Sequence, residues 1–145
     1  MKRLVAFLLL LLTFPIMSFA FAANDTAPYS SYYINFCTVA LVADGDGEMT
    51  VDFSVVATQT MVKVGASSIT LEKEQSPDVW KNVKTVYGSS DPDTFYSDDA
   101  YKHTGAYTFT DLTPGVRYRV TMTGYAADRN GSDTSTATSK AKTCK

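Results

Sequence analysis

An all-β fold, a seven-stranded antiparallel β-sandwich, is the architecture these 145 residues predict. The first observation is period. "MTVDFSVVA" sets Met49, Val51, Phe53, Val55 and Ala57 on one side and Thr50, Asp52 and Ser54 on the other, the alternation of a half-buried strand. The second is punctuation, with turn-forming clusters at 43–48, 74–78, 88–99, 103–105, 112–115 and 128–133. The third is that no stretch after the first two dozen residues carries an apolar stripe at helical spacing, while Val, Thr, Tyr and Phe are abundant. Strands joined at this spacing suit two packed antiparallel sheets.

In chain order, the opening "MKRLVAFLLLLLTFPIMSFAFA" has the form of a secretory signal peptide: Lys2 and Arg3, an apolar run from Leu4 to Leu12, and an Ala-x-Ala site at Ala20 and Ala22. Cleavage is expected near Ala22, with Ala20 the second choice; a retained membrane anchor is the competing reading, which Thr13 and Pro15 disfavour. Residues 1–22 are then the signal peptide, 23–31 a flexible N-terminal segment and 32–145 a single domain. Strands are expected at roughly 32–42, 48–58, 61–73, 79–87, 105–111, 116–126 and 134–143. The first has Ile34 and Phe36 on even positions but Val39 and Leu41 on odd ones, which a bulge between them would reconcile. Alternation carries the third (Ile69, Leu71), the fifth (Tyr107, Phe109) and the sixth (Tyr118, Val120, Met122). The last, "TSTATSKAKT", lacks large apolar residues and ends in lysines, as suits an edge strand.

Of 13 basic and 15 acidic residues, loss of the leader leaves 11 against 15, a formal charge of −4 that does not invite nucleic acid. No second membrane-length apolar segment, lipid-accepting Cys or hydrophobic C-terminal tail follows, so the expected product is secreted, extracellular, free of the membrane after cleavage and monomeric. In an oxidising compartment Cys37 and Cys144 are expected to form a disulfide across nearly the whole domain, with two free thiols the alternative. Two distant Cys and one His lack zinc-ligand spacing. The only histidine, His103, falls in "KHTGAY", expected to be a solvated loop, and no nucleophile elbow accompanies it; no catalytic residue and no enzyme activity are predicted.

The stretch "DLTPGVRYRV" adds a resemblance. It resembles the corner of fibronectin type III domains, which implies that Leu112 plugs the core, Pro114 and Gly115 turn the chain, and Tyr118 returns its hydroxyl to the main chain of the corner. Val120 stands where an antibody-type domain has a core Cys two residues after that tyrosine, which favours the fibronectin type over other immunoglobulin-like sandwiches, the alternative. The chain departs from the family at Phe53, where the usual core tryptophan would lie, and at its terminal cysteine pair; its Trp80 comes after the expected third strand. A leader followed by one such domain also resembles small secreted bacterial proteins of unassigned function.

The expected function is a non-enzymatic binding module for an extracellular protein or glycan, working through loops and outward sheet faces. Arg117, Arg119 and Tyr125 are the candidate patch, with Arg129 and Asn130 in a loop at one end; a merely solvated strand face is the competing reading. Arg129 is not followed by Gly-Asp, so the integrin-binding tripeptide known in this family is absent. Trp80 with Val83 and Tyr87 suits either carbohydrate stacking or packing against the core. Two further readings are kept: a structural subunit assembling through the edge strand 134–143, and a calcium-dependent module using Asp91, Asp93, Asp98 and Asp99. Acidic turns alone also explain those aspartates, and no other cofactor is expected.

Overall fold

A computed structural model describes residues 32–145; the expected signal peptide and the segment 23–31 lie outside the described residues. Seven antiparallel strands form one curled sheet: β1 (Ile34–Gly45), β2 (Glu48–Ser76), β3 (Val79–Tyr87), β4 (Tyr96–Phe109), β5 (Arg117–Ala127), β6 (Ser132–Thr138) and β7 (Lys142–Thr143). A 3₁₀ turn, Gly88–Ser90, and a single helical turn, α1 (Pro92–Phe95), join β3 to β4.

The second strand organises the rest. Along one edge it pairs first with β1, at Glu48–Ala57, and then with β5, at Lys63–Lys73. Along the other it pairs first with β4, at Met49–Gly65, and then with β3, at Ser68–Ser76. Two wings result: β1, the first half of β2 and β4 form one, and β3, the second half of β2, β5 and β6 form the other. The wings curl towards each other because β2 changes which side chains face inward. Met49, Val51, Phe53, Val55, Ala57 and Met61 are buried at odd positions, Val64 and Ala66 at even ones, and Ile69 and Leu71 at odd ones again. The first change follows the irregular register between Val56 and Met61, and the second coincides with that between Ala66 and Ser68. Phe95, Phe109, Tyr118, Val120 and Met122 complete the core.

The expected strands at 48–58 and 61–73 are therefore one strand of 29 residues. Thr58, Gln59 and Thr60 between them include no Gly, Pro, Asn or Asp to turn the chain. The expected last strand, 134–143, is divided in the opposite sense. At Ser139 the side chain enters the ladder: its N–H donates to Val120 O at 2.9 Å, and its Oγ accepts from Val120 N–H at 3.1 Å. The bulge in β1 falls between Ile34 and Phe36, one step before the place the alternation suggested, and leaves Phe36 half exposed. The turn expected at 88–99 contains α1, whose Asp91 Oδ1 accepts from Thr94 N–H at 3.4 Å with Pro92 at the first position. That at 103–105 is strand, inside β4.

Asp46 and Gly47, both at positive φ, make the two-residue turn between β1 and β2, a conformation Asp-Gly favours. The turn tip meets the other end of the chain. Gly47 N–H donates to Lys145 O at 3.0 Å, and Leu112 N–H donates to Gly47 O at 2.9 Å. Beside them Gly115 N–H donates to Cys144 O, and Cys144 N–H to Val116 O, each at 2.9 Å. Thr113 N–H donates to the Tyr118 hydroxyl oxygen at 3.2 Å, while the ring of Tyr118 is buried.

These contacts overturn the expected disulfide: Cys37 and Cys144 are both free. Cys144 is held level with Val116 at the start of β5, whereas Cys37 Sγ lies against Gly124 and Ser135, in the space a Cβ at Gly124 would fill. The extended chain from Val116 through β5 to Gly124 spans roughly 26 Å at about 3.3 Å per residue. A disulfide needs Cα atoms within about 7 Å. Burial pushes the Cys37 thiol above its ordinary pKa, so it behaves as a small core hydrophobe.

Two outcomes follow for unfolding in urea. Tyr118→Phe removes the acceptor from Thr113 N–H and should lower stability by about 1–3 kcal/mol while leaving the fold intact. Gly124→Ala drives a methyl into Cys37 Sγ and Val55, and should cost about 1–3 kcal/mol, with Cys37→Ala recovering part of the loss in the double variant.

Candidate functional site

The outward face of the wing formed by β3, β2, β5 and β6 carries a connected polar and aromatic network. Strand register sets its rows. Thr85, Thr70, Thr121 and Thr138 stand side by side across four strands, Asn82, Glu72 and Arg119 form the next row, and Trp80 lies opposite Glu74. Hydroxyl pairs link Thr70 to Thr85 at 3.0 Å and Thr121 to Thr138 at 3.1 Å. Arg119 donates twice to Glu72, from Nε to Oε2 at 2.8 Å and from Nη2 to Oε1 at 3.3 Å. Thr121 Oγ1 adds a bond to Glu72 Oε2 at 3.1 Å. The Arg119 guanidinium also lies over the Trp80 ring, 4.5 Å from its centroid, a contact of about 0.5–1 kcal/mol where solvent reaches it.

Arg117 Nη1 donates to both oxygens of Glu74, at 2.9 and 2.8 Å. The two arginines of the expected cationic patch are thus each paired with a glutamate of β2, and the face is polar without a net positive field. A depression of about 220 Å³, lined by Glu74, Gln75, Ser76, Pro77 and Arg117, opens beside the pair. Trp80, half-buried under Arg119, belongs to this face, while Val83 and Tyr87 are exposed along the edge strand β3.

Tyr125 lies further along β5 and packs edge-on against Tyr96, with centroids 6.1 Å apart. Lys63 sits 5.0 Å over the Tyr96 ring and pairs with Asp98 at 3.4 Å. Arg129 and Asn130 occupy the turn between β5 and β6. There the Asp128 carboxylate accepts from Asn130 N–H at 2.6 Å and Gly131 N–H at 3.0 Å. The Asn130 main-chain bond holds Asp128 below the ordinary carboxylate range. The five candidate residues are therefore spread over three places rather than gathered in one patch. Strand register supplies the glutamates that complete the arginine network, a pairing that spacing along the sequence does not reveal.

Asp91 caps α1, Asp98 pairs with Lys63, and Asp93 and Asp99 are exposed. Among the described residues no three His, Cys, Asp or Glu side chains gather as metal ligands would. The expected edge strand is β6, and its outer side lies along β1, where Cys37 Sγ is 4.0 Å from Ser135 O.

His103 corrects the expectation of a solvated loop residue: it is 5% exposed and points inward from β4. Its Nε2 faces Thr94 O at 2.9 Å and its Nδ1 faces Ser97 Oγ at 3.0 Å. A carbonyl only accepts, so Nε2 carries the proton and Ser97 donates to Nδ1; the neutral ring is fully satisfied. The imidazole packs on Phe53, which meets Phe95 in turn, and so ties α1 to β4. Ser97 and His103 resemble part of a hydrolytic pair only in composition, since the second nitrogen is committed to a main-chain carbonyl where a triad places a carboxylate.

Burial lowers the pKa of His103 below its ordinary value, outweighing the Thr94 bond. The unfolded chain then takes up a proton first, near about pH 6.5. Stability should be level above about pH 7 and fall as pH drops through about 6.5 towards the lower folded value. Urea midpoints measured between about pH 7 and 5 check this, and the slope should flatten in His103→Gln.

The chain matches no protein-family model, and no curated protein matches it.

Proposed function

We propose that the chain is a secreted, non-enzymatic recognition module on a fibronectin type III-like β-sandwich, binding an extracellular protein or glycan through the outward face that carries Trp80 and Arg119. The division of strand pairing into two wings around a shared core supports two packed sheets. The bond from Thr113 N–H to the Tyr118 hydroxyl supports a tyrosine corner of the immunoglobulin-like kind, and Val120 in place of a cysteine favours the fibronectin type. The leader-like opening of the sequence supports export.

The single observation that carries the reading is the ordered network from Trp80 through Arg119, Glu72 and Thr121 to Thr138. Recognition surfaces concentrate binding energy in Trp, Tyr and Arg held in fixed positions, because a side chain already ordered loses little entropy on binding. Balanced charge directs the face towards neutral polar partners: Trp80 offers ring surface, and the threonines and glutamates offer hydroxyl and carboxylate partners to sugar hydroxyls or main-chain amides. His103 is held by structural contacts, which supports a non-enzymatic role.

Screening the protein on glycan arrays and against extracellular protein libraries tests the reading, with Trp80→Ala and Arg119→Ala as controls. Ligands of this face should lose about tenfold or more in affinity with either substitution, while circular dichroism stays unchanged. Ligands indifferent to both substitutions would place recognition elsewhere.

A further inference from the structure

The core-facing side of the second wing runs out into a rim of lysines. Along the second half of β2, Ile69 and Leu71 are buried, and Lys73 follows on the same side, level with the buried Tyr118 of β5. Register sets Lys84 of β3 opposite Leu71 and Lys81 opposite Lys73. Glu72 and Glu74 point to the other face, where Arg119 and Arg117 hold them. Val79, Lys81, Val83 and Lys84 are all exposed, so the rim meets solvent beyond the edge of the core.

The arrangement works against folding. Residues directly opposite in a ladder have Cβ atoms about 4.5–5.5 Å apart, and like charges there are destabilising. Lys84 takes the next inward position of β3, past the bulged Val83. Side chains of this length can bring all three ammonium groups within about a Debye length, ~8 Å at physiological salt. None of the three makes an ion pair or a side-chain hydrogen bond among the described residues, and the carboxylate of Asp78, in the turn from β2 to β3, pairs with none of them. An edge strand gains from inward lysines that deter unwanted pairing, which accounts for Lys81 and Lys84. It does not account for Lys73, on a strand with ladders along both edges.

We propose that Lys73, Lys81 and Lys84 form a binding site for an anionic polysaccharide, one that carries sulfate or uronate groups. Lysine offers a hydrated point charge without the planar fork by which arginine matches a single carboxylate or phosphate, so the site reads charge density along a chain. Protein interfaces are depleted in lysine and enriched in aromatic residues, whereas Trp80 and Tyr87 of β3 face the opposite way and leave only Val79 and Val83 exposed beside the lysines. The same lack of rings denies single-stranded nucleic acid a stacking platform. Beyond about 8 Å the negative charge of the rest of the chain is screened, and the nearest glutamates are already neutralised by arginine. The site lies on the opposite side of the sheet from Trp80 and Arg119, so either can fail without the other.

Three oligosaccharides of equal length, one sulfated, one built of uronates and one neutral, are the probes, titrated into isotope-labelled protein and followed by amide chemical shifts. Shifts centred on Lys73 and on Lys81 to Lys84 are expected with an anionic probe, weakened by salt, and whichever probe binds more tightly identifies the source of charge. The neutral probe should leave these amides unmoved. Lys81→Gln/Lys84→Gln should lose about tenfold or more in affinity. Lys102→Gln/Lys140→Gln, which removes two charges elsewhere, and Trp80→Ala should bind as the unaltered protein does. Lys81→Gln alone should keep or raise the urea midpoint, since it relieves a like-charge pair. Absence of shifts with both anionic probes, or an equal loss in the Lys102→Gln/Lys140→Gln variant, would overturn the proposal. Tighter binding of an acidic peptide of equal charge would overturn it in favour of a protein partner. A fall in the urea midpoint of Lys81→Gln would overturn it by showing that the lysines serve the fold.

Discussion

A strand of 29 residues cannot stay flat inside a domain of this size, and the way β2 bends determines where every other strand lies. Each of its two edges serves two partners in succession, β1 then β5 and β4 then β3. The inward-facing set shifts parity twice, so the apolar side of the strand follows the inside of the curl instead of emerging into water. Had the parity stayed fixed, Ile69 and Leu71 would still point inward but Val64 and Ala66 would not, and the middle of the strand would have no core to face.

The outer face depends on the same strand in a different way. Glu72 and Glu74 alternate with inward residues on β2 and reach the arginines of β5 across one ladder spacing. Pairing removes most of the field that two arginines would otherwise project, and leaves their guanidinium planes fixed in place. A face of this kind discriminates by geometry and hydrogen bonding more than by long-range attraction.

Much of the fold was legible because period and turn chemistry agree. Alternation placed Met49 to Ala57 and Tyr118 to Met122 on the core side, and the residues that bound β3 are turn formers on both flanks. The failures share a physical cause, the dependence of strand ends on neighbours far away in sequence. The exposed polar run Thr58 to Thr60 looks like a strand end unless one notices that nothing there can turn the chain. Ser139 ends β6 through a side-chain bond to Val120 that no local signal announces. The short helix did carry a signal, Asp91 followed by Pro92, hidden inside a run that also suits a loop. Compartment chemistry suggested a disulfide, but the ladder positions of Cys37 and Cys144 place them at opposite ends of β5. Of the candidate surface, the arginines were visible and their neutralising partners were not, because an ion pair across strands is a matter of register rather than of spacing.

Native-state hydrogen exchange tests the central claim, that one continuous strand unites both wings. Amides of β2 on either side of Thr58 to Thr60, such as those of Val55 and Ile69, should exchange only through global unfolding and with the same free energy. β6, whose ladder among the described residues is with β5, should open first. Two separate opening energies for the two halves of β2 would contradict the account, since they would mean that the wings are independent units joined by a linker.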